Sequence, residues 1–508
     1  MNPYIQYMYS YPHKTAYRPL TGIHLSEYAD RFSGPGHSVY LHIPFCQTKC
    51  GYCNLFSVTG AGADEMEMYL DAVERQLGQY RRILEPADAR FSDFTIGGGT
   101  PLLLTAAQLD RVFSMTEAYL DFEETRSIVI ETAPNQTDKE KLRLLKDRGV
   151  TRVSMGIQSF CGRELETLGR GHSAEKALEA LELLLSFGFA CVNVDFIYGI
   201  PGQQTRSLLE SLKKAVSFGP QEIFLYPLYI KHGAGLEKKL GAGMVLEPEN
   251  AYSQYREASS FLRSEGYRQD SMRRFVRCRE KCLGGGASVG RQRGSADGSV
   301  FSDRCAGGGA LAARCADGSV FSDNCTGSRA LAERCAKSGS DGRTFSECGF
   351  GSSLALGCGG RSYVGDLHFC TPYAITRQDC LKELRAYENT RDFTAVTHGI
   401  ILSSEEQRRR YVIRHLLIRP GLDTNRYRKH FGSDALEDFP LLSEWIGKGY
   451  LAYEKKEADW LSLTDEGLGL SDYLGPQLMS RQIREKMTEW EAAHGQTNHP
   501  LPGQLKKL

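Results

Sequence analysis

The 508-residue sequence predicts an α/β protein: an incomplete parallel (β/α)6 barrel followed by a mainly helical, winged-helix-like C-terminal module. Two observations predict the barrel. Six short β-branched runs alternate with longer amphipathic segments between residues 38 and about 230, and the chemically unusual residues fall in or just after those runs. The C-terminal module is predicted by the order helix, short hairpin, helix in "FPLLSEWIGKGYLAYEKKEADWLSLTDEGLGLSDYL".

Residues 1–37 form an N-terminal arm, and 38–235 form the barrel core. Its strands are "SVYLHIP" (38–44), "FSDFTIGG" (91–98), "SIVIETA" (127–133), "TRVSMGIQS" (151–159), "CVNVDFIYGI" (191–200) and "EIFLYPLY" (222–229). Between them, "ADEMEMYLDAVERQLGQYRRIL" and "SAEKALEALELLLSFGF" carry apolar residues at helical spacing. A post-barrel segment, 236–385, contains a stretch rich in Gly, Ser, Ala and Arg at about 283–352. Here "ADGSVFSDRCAGGGALAARC" (296–315) is repeated as "ADGSVFSDNCTGSRALAERC" (316–335), with a degenerate third copy from Ser340. Two copies and a fragment cannot stack a core, so the composition predicts a mobile insertion. The C-terminal module, 386–508, contains "SSEEQRRRYVIRHLLI", where Ser403 and Glu406 predict a capping box.

Lys+Arg and Asp+Glu both number 62, which lends no support to a nucleic-acid partner. No run of 18 apolar residues predicts a membrane span, and the N-terminus lacks a secretory pattern, so a cytoplasmic protein is expected. In that compartment fifteen cysteines point to metal or redox chemistry rather than disulfides.

The densest cysteine group is Cys46, Cys50 and Cys53 in "YLHIPFCQTKCGYCNLFS". Structural zinc needs four closed ligands, and no fourth Cys or His stands at short spacing, since His42 lies on the strand itself. Three thiolates on a [4Fe-4S] cluster leave one iron open to a ligand. The "GGGTP" ending the second strand has a tight turn as its plain reading, and Glu131 and Asp195 could be solvated loop charges. Their recurrence at the edge that carries the cysteines favours a binding site.

The Cys-x3-Cys-x2-Cys spacing resembles the radical S-adenosylmethionine (radical SAM) superfamily. "YLHIPFC", "GGGTP", "RVSMGIQSF", "LGRGHS" and "VNVDFIYGIPGQ" together resemble the oxygen-independent coproporphyrinogen III oxidase family, which includes haem chaperones of the same fold. The resemblance covers roughly residues 40–235 and continues weakly through "LALGCGGRSY" and "LSLTDEGLGLSDYL". It implies a radical SAM barrel with a [4Fe-4S] cluster on Cys46, Cys50 and Cys53, and with Tyr40 beside cluster and SAM. Gly98, Gly99 and Thr100 would line the methionine end of SAM, and Glu131, Gln158, Arg170 and Asp195 would form the remaining polar shell. The implied function is a radical SAM oxidoreductase, resembling coproporphyrinogen dehydrogenase, that removes carboxyl groups from propionate side chains of a tetrapyrrole. It would draw electrons from a flavodoxin- or ferredoxin-like donor.

The bacterial oxidase resembles Cys-x3-Cys-x2-Cys-x-Cys, whereas this chain has Leu55 at the fourth position. The His-Asn-x-x-Tyr-Trp string of the chaperone branch is not visible either. Three alternatives therefore stay open beside the oxidase: a haem-binding chaperone, a radical methyltransferase or haem-ring-opening enzyme, and, from a different class, a zinc scaffold. In the arm, His13, Lys14, Tyr17 and Arg18 read as packing residues or as a cover whose Lys14 and Arg18 pair with substrate carboxylates. Cysteines 305, 315, 325, 335 and 348 recur about every ten residues, wider than cluster ligands stand, and read as a duplicated surface loop.

Overall fold

The computed structural model describes residues 2–8, 10–230, 233–240, 247–278 and 351–494, apart from 456–458. The repeats and their five cysteines lie outside the described residues. Six parallel strands build the barrel wall: β1 (His37–Ile43), β2 (Arg90–Gly98), β3 (Asp121–Thr132), β4 (Arg152–Gln158), β5 (Cys191–Tyr198) and β6 (Glu222–Pro227). Helical crossovers hold successive strands parallel: α1 (Ala63–Leu84), α2 (Ala106–Tyr119), α3 (Lys139–Asp147), the pair α4 (Gly162–Thr167) and α5 (Ala174–Ser186), and α6 (Thr205–Phe218).

Sequence period dictates which face each helix buries. In α1, Met66, Tyr69, Leu70, Val73, Leu77, Tyr80 and Leu84 recur at three- and four-residue steps, and all are buried against the sheet. Each such side chain contributes about 1.5–3 kcal/mol when fully withdrawn from water. Strand β5 reads as a nearly continuous apolar run because helices cover one of its faces and the barrel interior covers the other.

The sheet does not stop at six strands. After α7 (Pro248–Ser264), strands β7 (Tyr267–Gln269) and β8 (Arg274–Arg277) extend it antiparallel beyond β6. On the other side β9 (Ser353–Leu356) runs parallel to β1, followed by β10 (Arg361–Val364) and β11 (Leu367–Cys370). After α8 (Arg377–Glu388), β12 (His398–Ile401) continues the sheet, which ends on Arg18–Pro19 of the arm. The stretches that the sequence divides at 235 and 385 thus share one sheet.

Helix α9 (Ser404–Leu416) opens the C-terminal module. Strand β13 (Leu422–Asp423), α10 (Thr424–Phe431) and α11 (Leu441–Gly447) precede the hairpin of β14 (Leu451–Lys455) and β15 (Asp459–Leu463), and α12 (Arg481–Ala493) closes it. The helix, hairpin, helix order of a winged helix is present. Its core, around Trp445, Tyr427 and Leu461, also takes in Tyr11, Ala16 and Tyr17 of the arm. The predicted capping box is only half formed. Ser403 Oγ accepts from the Glu406 N–H, but the Glu406 carboxylate accepts from the Tyr11 hydroxyl, a tertiary partner that local sequence does not reveal.

Candidate functional site

At the C-terminal ends of the barrel strands lies a cavity of about 440 Å³. Cys46, Cys50 and Cys53 line it together with Gly98, Gly99, Thr100, Glu131, Gln158, Arg170 and Asp195. Ten of the eleven residues that the resemblance assigns to cluster and SAM, all but Tyr40, therefore share one space.

Glycine chemistry fixes the cysteine loop. The Gly51 N–H donates to Leu168 O (2.9 Å), and Gly51 O accepts from the Leu236 N–H (2.7 Å). A Cβ at Gly51 would stand 2.7 Å from Leu236 Cγ, so any larger residue there would have to displace Leu236. At the end of β2, the Gly99 N–H donates to Ile43 O (2.7 Å) and the Thr100 N–H to Phe45 O (2.8 Å). A Cβ on Gly99 would meet Phe45 O at 2.6 Å and Cys46 Sγ at 3.0 Å, so the "GGG" turn lies directly against the first cysteine.

Donors reach two of the sulfurs. Arg170 Nη1 donates to Cys50 Sγ at 3.0 Å and its Nη2 to Gly156 O at 2.6 Å, while Thr100 Oγ1 lies 3.7 Å from Cys46 Sγ. Among the described residues no three His, Cys, Asp or Glu side chains converge as ligands of a single metal ion. Three thiols spread around one cavity fit a multi-iron cluster, in which each thiolate takes its own iron and hydrogen bonds to sulfur tune the charge.

The carboxylates are arranged differently. Glu131 is open to the cavity but walled by the barrel, and this enclosure raises its carboxyl to about 7 against the pull of the Gly98 N–H, which donates to Oε2 at 3.1 Å. Desolvation likewise raises Asp195 to about 6, although Asn193 Nδ2 donates to it at 2.8 Å. Among the described residues neither carboxylate makes a salt bridge. Gln158 sits where the β4–β5 register shifts and holds a φ of 74°, a strained conformation that turns its amide to the cavity.

Two groups of candidate residues lie away from the cavity lining. Tyr40 is not on the cavity wall. It lies six residues before Cys46 on β1, with its hydroxyl 3.1 Å from His42 Nδ1, and His42 Nε2 in turn faces Phe56 O at 2.9 Å. Both His42 nitrogens are thus engaged, and burial lowers its pKa to about 4. Lys14 and Arg18 do not face the cavity either. Lys14 Nζ sits 4.0 Å over the Tyr373 ring, and Arg18 pairs with Glu489 of α12 at 3.1 Å. Among the described residues of the arm, Tyr7 is the one that lines the cavity, stacked on Tyr229 with ring centres 6.0 Å apart. The Arg273 guanidinium covers Tyr7 at 4.0 Å, and buried Asp472 binds both Arg273 and the Tyr229 hydroxyl. Local sequence carries no signal for this wall beyond the aromatic richness of the arm.

Residues 40–215 match the model of the Radical SAM superfamily. This stretch of the chain is a radical SAM domain. The chain is 34% identical over 222 residues to "Heme chaperone HemW" of Mycobacterium tuberculosis, covering 43% of this chain and 56% of that one. It is 27% identical over 241 residues to "Oxygen-independent coproporphyrinogen III oxidase" of Escherichia coli, covering 47% and 52%. The chain thus spans about half the length of the curated relatives it matches. The solved coproporphyrinogen III oxidase of Escherichia coli superimposes with a TM-score of 0.70 over 95% of this chain and 96% of its own, at 20% identity, a likeness of fold. These matches liken the chain to the coproporphyrinogen III oxidase and haem chaperone proteins that its motifs resemble. A [4Fe-4S] cluster and SAM are the cofactors that the superfamily implies. Among the described residues no helix is long and apolar enough to cross a membrane.

Proposed function

We propose that this chain is a radical SAM enzyme acting on a tetrapyrrole, with Cys46, Cys50 and Cys53 as the cluster ligands. The observation that carries the reading is the single cavity that gathers the three thiols, the glycine turn and the two enclosed carboxylates at the strand ends. When bound, cluster and SAM supply a 5'-deoxyadenosyl radical able to take hydrogen from a carbon side chain.

The protein's own part is binding and positioning. Gly98, Gly99 and Thr100 let the backbone approach the zwitterionic end of SAM, and Glu131 offers its carboxylate to the ammonium group. Asp195 and Gln158 supply acceptors for ribose, and Arg170 steadies the negative charge at Cys50. Tyr7, Tyr226 and Tyr229 wall the opening with apolar faces that exclude water and suit a flat, hydrophobic macrocycle. Oxidative decarboxylation of propionates is the reaction that follows from the oxidase relative, with a reducing protein as electron donor.

A second reading, haem binding without transformation, is favoured by the name of the Mycobacterium tuberculosis relative. The anaerobically reconstituted chain, given SAM and reductant with coproporphyrinogen III or haem, separates the two. Release of 5'-deoxyadenosine and CO2 that depends on coproporphyrinogen supports the enzyme. Tight haem binding with no substrate-dependent SAM cleavage overturns it in favour of the carrier.

A further inference from the structure

Strand β5 carries an asparagine where its pattern calls for an apolar residue. In "CVNVDF" successive side chains alternate between faces, so Val192 and Val194 share one face while Asn193 and Asp195 share the other, the barrel interior. Asp195 lines the cysteine cavity, as does Ser154, the register partner of Asn193 on β4. Asn193 itself lies one pleat deeper and is buried.

The amide of Asn193 joins these two cavity residues. Its Nδ2 donates to Ser154 Oγ at 2.6 Å and to Asp195 Oδ1 at 2.8 Å, which uses both amide hydrogens. A flipped amide would set Oδ1 against the carboxylate oxygen, so the neighbours dictate which end points where. The cost falls at the other end. Asn193 Oδ1 is buried and has no hydrogen-bond partner among the described residues. An apolar side chain would strand no carbonyl, so stability alone does not explain an amide at this place.

The donor's lack of charge is the informative part. Glu222, the register neighbour of Asn193 on β6, receives Arg152 and Arg274 and is neutralised within the fold. Among the described residues Asp195 accepts only from this uncharged amide, just as Glu131 accepts only from the Gly98 N–H. An uncharged donor orients a carboxylate yet leaves its charge and its second oxygen to a ligand. The backbone does this for Glu131, and a side chain does it for Asp195.

We infer that Asn193 is a positioning residue for SAM binding: anchored on Ser154, its amide holds the Asp195 carboxylate in the orientation that meets the ligand. The inference rests on the SAM-binding reading of the cavity and adds to it a residue that touches no ligand itself.

Calorimetric titration of the reconstituted, unreduced chain with SAM tests it through a double-mutant cycle of Asn193→Val, Asp195→Ala and the two combined. The expected result is SAM affinity weakened about tenfold in Asn193→Val, while the combined variant binds within about twofold of Asp195→Ala alone. Asn193→Ala takes the place of Asn193→Val if the latter does not fold, with the same expectation. Equal SAM affinity in parent and Asn193 variant overturns the inference. So does a loss as large in the Asp195→Ala background as in the parent, because Asn193 would then act on the fold and not through Asp195. A parent chain that binds no SAM overturns the reading beneath the inference, and the inference with it.

Discussion

Glu131 and Glu222 stand in one hydrogen-bonded row of the barrel wall, linked across Ser154 and Asn193, yet the protein treats them in opposite ways. Glu222 is buried with Arg152 at 2.9 Å on one oxygen and Arg274 on the other, and Arg274 also reaches Asp270 at 3.3 Å. Burial alone would raise its carboxyl, but the two guanidinium groups draw it down to about 2. Glu131 receives one backbone N–H and no guanidinium, and enclosure leaves it at about 7. The first carboxylate is complete within the fold, whereas the second has no guanidinium partner, as the proposed role in holding a cationic ligand requires. An unbalanced carboxylate beside three thiols is the mark of the binding site, and its balanced neighbour belongs to the architecture.

The largest break in this picture comes from the thiols. Cys50→Ala removes one proposed ligand and the sulfur that Arg170 contacts, so reconstituted iron and 5'-deoxyadenosine formation should fall to background. Cys161→Ser, a half-exposed cysteine outside the cavity, should leave both intact. Iron analysis and chromatography of the SAM products check this pair.

Next in size is Glu222→Gln, which strands two buried guanidinium groups. The expected cost is about 3–5 kcal/mol of folding stability, read by denaturant unfolding at neutral pH. Because Glu222's folded pKa lies below its ordinary 4.5, its contribution is present above pH 4.5 and is lost as the pH falls toward about 2. The variant's deficit should therefore shrink in strong acid.

Glu131→Gln sharpens the contrast with a smaller effect of another kind. Here the folded pKa is raised, so the stability this group contributes is present below about 4.5 and lost as the pH rises through about 7. At pH 8 the variant should be at least as stable as the parent, while SAM binding weakens about ten- to a hundredfold. In the parent, SAM affinity should climb with pH and level off above about 7, and in the variant that dependence should flatten. Equilibrium binding between pH 5.5 and 8.5 reads both.

What could be read from sequence follows the reach of local pattern. The six barrel strands and α1 declared themselves through period and composition, and Cys46, Glu131, Gln158 and Asp195 through their place at strand ends, whereas Arg170, between two helices, was marked only by the resemblance of "LGRGHS". Strand β9 did not, because its neighbour β1 lies more than 300 residues earlier in the chain. Tyr7 and Asp472 were equally silent, since their meeting depends on both termini folding back onto β6. Lys14 and Arg18 stayed between packing and a substrate-facing role for the same reason. A cationic arm looks alike whether it faces a substrate or, as here, a tyrosine ring and the last helix.

The central claim is that three cysteines here leave one iron free for SAM. Electron paramagnetic resonance of the reduced, reconstituted chain, recorded before and after SAM is added, addresses it directly. The account predicts the signal of a single [4Fe-4S] cluster that shifts when SAM binds. A spectrum that SAM leaves unchanged would contradict it, because the open iron would then be absent or out of SAM's reach.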